Sequence, residues 1–211
     1  MKATTENLDL IDRYLEQRKL DFLDFKLEIK DHIASQTEDL CEKQNTSFED
    51  ALPKVLKKWE PSLLLKSSIW ISNKRSFSSI VLDGIKKRYM IYNSITLPII
   101  IGLLILQFHF MNEFKSESLR NLLLAISIIL LIILSVLRYS ISRINYQTSF
   151  SYEFKRIYKM AIMFLCFDIM YFHVLGITPI VIFKAMVITY FPIAIYSFFK
   201  HKQFQNRVIN L

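Results

Sequence analysis

The apolar run FLCFDIMYFHVLGITPIVIFK, Phe164 to Lys184, is interrupted by an acid, Asp168, an imidazole, His173, and an amine, Lys184. Such groups can relay protons, line an ion path or hold a counter-ion, and inside lipid they mark a functional site by default. His109 lies in an earlier apolar run and Thr189 in the one that follows. The two histidines show no tight ligand spacing, so neither a metal nor a cofactor is expected. The two cysteines, Cys41 and Cys166, form no redox or metal motif. There is no HExxH, no GxSxG, no phosphate-binding glycine loop and no carboxylate pair in the apolar runs, so the chain does not read as an enzyme.

What these residues do depends on the elements that carry them. The 211 residues are 52% hydrophobic, and their charge is split unevenly. Residues 1–60 hold 10 Lys/Arg and 14 Asp/Glu, net −4; residues 61–211 hold 17 and 5, net +12. From Tyr89 to Asn112 there are 24 residues without Asp, Glu, Lys or Arg, and from Asn121 to Leu137 a further 17. Runs of this length cross a hydrocarbon core about 30 Å thick. The predicted fold is all-α, a small cytoplasmic helical domain followed by a four-helix transmembrane bundle. The domain covers 1–60, a linker 61–90, the spans about 91–112, 119–139, 159–178 and 179–199, and a tail 201–211. Eleven Lys/Arg flank the spans on one side: 86–88, 138, 143, 155, 156, 159, 200, 202 and 207. The opposite loops hold Lys115 and Arg120. This bias puts both termini in the cytoplasm, with a bacterial inner membrane as the expected location.

In that topology Asp168 lies ~15 Å below the outer end of its span and Lys184 ~8 Å below. Helical side chains lean toward their own N-terminus, which sends Lys184 outward and Asp168 inward. Lys184 is therefore expected to snorkel rather than pair. An aspartate at a helix centre costs ~2.5–3.5 kcal/mol, so Asp168 should face protein. Thr189 is a candidate partner, as is a second copy of Asp168 in a homo-oligomer. A packing role and a proton or conduction role both remain open, and Asp168→Asn is expected to leave folding and insertion intact. His109 and His173 read as interfacial histidines.

Residues 1–60 predict three helices. Their apolar stripes are Leu8, Ile11, Leu15; then Phe22, Phe25, Ile29, Ile33, Leu40; then Phe48, Leu52, Val55, Trp59. Ser47 and Asp50 suggest a capping box. Pro53 predicts a later start or a bend in the third helix. Asp31, His32, Phe48 and Trp59 are the candidate contacts to a cytoplasmic protein partner. The linker holds six Lys/Arg against one Asp. Lys74, Arg75, Lys86, Lys87 and Arg88, among apolar side chains, suit a helix lying on anionic lipid headgroups. Nucleic acid is disfavoured, because the adjacent span already brings this segment to a bilayer.

LEIKDHIASQTEDL (27–40) and SFEDAL (47–52) resemble the N-terminal segment of small multi-span membrane proteins of Bacteroidota, similar in layout to HAAS-type and permease-prefix helical domains. Asp31, His32, Ile33, Glu38, Ser47, Phe48, Glu49, Ala51 and Leu52 carry the resemblance, which covers about residues 8–60. KKWEPS departs from it, lacking the glycine that usually follows the third helix. The resemblance implies a cytoplasmic adaptor tied to a membrane domain, sometimes encoded beside a PadR-type regulator, with no catalytic residue. A signalling or regulatory membrane protein is thus the expected function. The alternatives are an oligomeric effector or pore, as in a bacterial defence accessory, and then a transporter subunit.

Overall fold

A computed structural model of the chain describes residues 3–110, 117–144, 146–170 and 182–209. Two compact units emerge, Met1–Arg88 with Tyr146–Ser149, and Tyr89–Asn145 with Phe150–Leu211.

The first unit opens with α1 (Thr5–Gln17), α2 (Leu23–Gln44) and α3 (Phe48–Leu63). Thr4 caps α1 by accepting from the Asn7 N–H at 3.3 Å. Asn45 ends α2 in the left-handed region, φ 48°, a conformation its short polar side chain tolerates. Ser47 Oγ accepts from the Asp50 N–H at 3.2 Å and donates to the Asp50 carboxylate at 2.6 Å. That cap starts α3 at Phe48, neither later nor after a break, although Pro53 lies within the helix. The one backbone bond Pro53 forgoes is offset by the buried stripe Phe48, Leu52 and Val55. Ile11, Leu15, Ile29, Ile33 and Ala51 form the centre of this core, each at most 1% exposed.

Residues 65–78 correct the expected surface helix. They form an antiparallel hairpin of β1 (Leu65–Ser68) and β2 (Ser72–Ser78), with Leu65 opposite Ser78 and Lys66 opposite Phe77. The segment is rich in serine with β-branched and aromatic residues between, poor helix formers that fit a pleated ribbon. Phe77 is buried and stacks on Phe22 with ring centres 5.6 Å apart. The chain then enters α4 (Ser79–His109), whose first ten residues belong to this unit. A Cβ on Gly84 would lie 2.6 Å from Phe25 Cζ, so the Phe25 ring seats where residue 84 has no side chain.

The second unit comprises the rest of α4 with α5 (Glu117–Ser142), α6 (Ser149–Ile169, from Phe150) and α7 (Ile182–Ile209). Leu134, Ile141, Phe154, Ile157, Val187 and Phe198 are central in its core. α4 and α5 are long and apolar enough to cross a membrane. On α4, Tyr92, Thr96 and Ile100 form a buried stripe at i, i+4, i+8, while Ile91, Ile95, Ile101 and Ile105 are 50–63% exposed. A helix that is apolar on its outward face as well as its inward one fits lipid rather than water. The ends of the expected spans at 111–112 and 171–181 lie outside the described residues.

Candidate functional site: a buried ion pair and two polar clusters

Asp168 occupies the last turn of α6, and Lys184 the first turn of α7. Lys184 Nζ donates to Asp168 Oδ1 at 2.6 Å, with the residues only 5% and 2% exposed. This corrects the expectation that Lys184 snorkels. The outward lean of a helical side chain is small beside the reach of a lysine stem. Two buried charges left apart would each keep a desolvation cost of several kcal/mol, and pairing lowers both. Phe183 stacks on both Phe164 and Phe167, with centres 6.0 and 5.9 Å apart, and places aromatic surface beside the pair.

Thr189 does not reach Asp168. Its hydroxyl donates to the backbone carbonyls of Ala185 (2.8 Å) and Met186 (3.3 Å) within its own helix. His109 is exposed at the end of α4, edge-on to Phe110 at 4.9 Å. His173 lies outside the described residues. Among the described residues no group of three His, Cys, Asp or Glu is placed to hold a metal. Below the pair, a void of about 10 Å³ is lined by Leu134, Ile157, Ala161, Phe164, Val187 and Tyr190 among others. It has room for about one water but an apolar lining that would leave it dry.

A second polar group in this unit has no local signal in the sequence. The Tyr92 hydroxyl donates to Glu153 Oε2 at 3.3 Å, and Glu153 is 0% exposed. Arg156 lies over the Tyr89 ring, 4.8 Å from its centre. Tyr190 donates to Asn93 at 2.6 Å. On α7 the fully buried His201 is held neutral, its pKa pushed down to about 4 by burial and then by the positive charge of Lys155.

In the first unit, His32 and Trp59 meet on the rim of an open groove of about 500 Å³. Their rings stack with centres 6.4 Å apart, and Trp59 Nε1 donates to Gln36 at 3.1 Å. Phe25, Ile29 and Ile80 supply apolar lining, and Glu28, Asp83 and Lys87 supply charge. Phe48 is not a surface contact as expected: it is 4% exposed and belongs to the core, the fate of a large apolar side chain at the first turn of an amphipathic helix. Asp31 is exposed but does not line the groove.

Of the basic residues assigned to a lipid surface, Arg75, Lys86 and Lys87 are exposed. The Lys74 side chain lies outside the described residues. Arg88 turns into the unit instead. Its guanidinium lies over the Phe25 ring at 5.7 Å and donates to Ser149 Oγ at 2.7 Å. Asp24, 4% exposed, accepts there from the Ser149 N–H at 2.8 Å and from the Ser149 hydroxyl. Leu23 N–H donates to the Gln147 carbonyl at 2.9 Å. The segment Tyr146–Ser149 is thus stitched into the first unit by a carboxylate that satisfies the first open amide of α6, the role of an N-cap taken by a residue distant in sequence. Comparison of the chain with protein-family profiles, with characterised proteins and with solved structures gives no match.

Proposed function

We propose that the chain is a regulatory integral membrane protein with four spans, both termini in the cytoplasm, whose N-terminal helical unit binds a cytoplasmic protein. The observation that carries this reading is the groove beside His32 and Trp59. It is an open, aromatic-rimmed feature on a small core, joined in sequence to helices that expose apolar side chains. Aromatic anchors in a concave patch are the usual energetic centre of a protein interface. The positive-inside bias supports the orientation, and the pairing of Asp168 with Lys184 makes α6 and α7 compatible with lipid as the third and fourth spans. The resemblance of residues 8–60 to permease-prefix domains points the same way.

The test is a photo-crosslinking amino acid placed at His32 of the full chain in native membranes, with one at the exposed Glu49 as control. One dominant cytoplasmic protein should crosslink from position 32 and not from 49, and Trp59→Ala should abolish it while the chain stays in the membrane. Crosslinks only to further copies of the same chain would refute the adaptor reading.

A further inference from the structure

The turn of the β1–β2 hairpin presents Ile69 and Trp70, each 85% exposed, the highest values for any large apolar side chain in the chain's described residues. Ile71, next to them, is 5% exposed, so the hairpin has an inward face and the two neighbours point away from it. Which way the tip points follows from contacts within the first unit. Along α4, Gly84 and Arg88 meet Phe25, and Arg88 shares Ser149 with Asp24; Phe25 and Asp24 both lie in the first turn of α2. The N-terminal end of α2 therefore lies toward the end of this stretch of α4 that leads into its apolar part. Traced back from Ser79, β2 runs the same way. Phe77 stacks on Phe22, and Arg75 approaches Asp21 at 3.7 Å and Gln147 at 3.5 Å. The six steps from Ser78 to Ser72 span about 20 Å. The nine from Ser79 to Arg88 span about 14 Å. The tip therefore lies toward the Arg88 end of this stretch, beyond Phe22 and Asp21.

We infer that Ile69 and Trp70 form an interfacial lipid anchor, inserted among the headgroups of the cytoplasmic leaflet, with the exposed Lys66 and Arg75 set for anionic headgroups. The inference rests on the membrane reading given above. Tryptophan beside an aliphatic side chain, flanked by cations, matches the composition of the membrane–water interface. A protein partner fits less well: a tryptophan contributes about 200 Å², and a stable interface needs about 800 Å² per partner. A two-residue tip is small for that and sufficient for a lipid anchor.

The full chain and its Trp70→Phe variant, reconstituted in vesicles of phosphatidylcholine with phosphatidylglycerol, isolate Trp70 by difference, since Trp59 is common to both. Trp70 emission should be blue-shifted, shielded from iodide, and largely lost when the lipid chains carry bromine near the headgroup. Emission at the position for water, quenched by iodide and not by bromolipid, would overturn the anchor. Shielding from both quenchers would also overturn it and indicate a protein cover. Flotation of the same vesicles separates the two readings. A chain that floats with an aqueous Trp70 loses only the anchor; a chain that does not float loses the membrane reading and the anchor together.

Discussion

Removing one member of the Asp168–Lys184 pair should destabilise the helical bundle far more than removing both. Both residues are at most 5% exposed and joined at 2.6 Å, so Asp168→Asn leaves a buried ammonium without its counter-charge and Lys184→Gln leaves a buried carboxylate without its own. Breaking a buried pair in this way costs about 3–5 kcal/mol. The double variant Asp168→Asn/Lys184→Gln strands no charge, so it should be at least about 2 kcal/mol more stable than the sum of the single effects. The assay is unfolding of the detergent-solubilised full chain by a graded denaturing detergent, read by helical circular dichroism, for all four proteins. Additive single effects, or an Asp168→Asn protein as stable as the parent, would refute the pairing and restore the expectation drawn from helix lean alone.

Two further predictions concern groups outside the apolar spans. Asp24→Ala removes the acceptor of the Ser149 N–H and leaves buried donors unsatisfied, at a cost of about 2–3 kcal/mol; limited proteolysis should then cut near Tyr146–Ser149 at protease levels that spare the parent, and unchanged resistance would show that the contact holds nothing. His201 is neutral when folded, with a pKa of about 4 against an ordinary 6.5. Above pH 6.5 neither state binds the proton, and as pH falls from 6.5 toward 4 only the unfolded chain does. The imidazole therefore withdraws stability over that window, by up to about 3 kcal/mol. The stability of the parent relative to His201→Phe should fall by that order between pH 7.5 and pH 4.5, and a constant difference would place a charged imidazole in the folded state.

How legible these features were depended on the range of the interactions that make them. α1, α2 and α3 follow from stripes of period 3.6, and the Ser47 cap from two residues three apart, all local signals. The hairpin does not follow from the charge pattern of residues 61–90, because the serine-rich, β-branched backbone decides the conformation. Asp24 and Ser149 are 125 positions apart and Tyr92 and Glu153 are 61 apart, so no pattern in a window could pair them. Phe48 also heads the apolar stripe of α3, and that stripe places it in the core.

Helix geometry alone argues against the ion pair, and the energies involved explain why it forms. Side-chain lean displaces a charge by a few ångströms, whereas an unpaired charge at depth costs about 2.5–3.5 kcal/mol even on the mildest scale. An energy of that size bends a flexible lysine stem toward an acid within reach. The same comparison bears on conduction. Asp168 and Lys184 were the charges available to line a path, and in one copy of the chain each is occupied by the other, above a void with room for about one water. For these two residues to serve an ion, the pair would have to open, and opening strands both charges at once. The residues that looked most like a conduction site therefore hold α6 against α7 in a single copy.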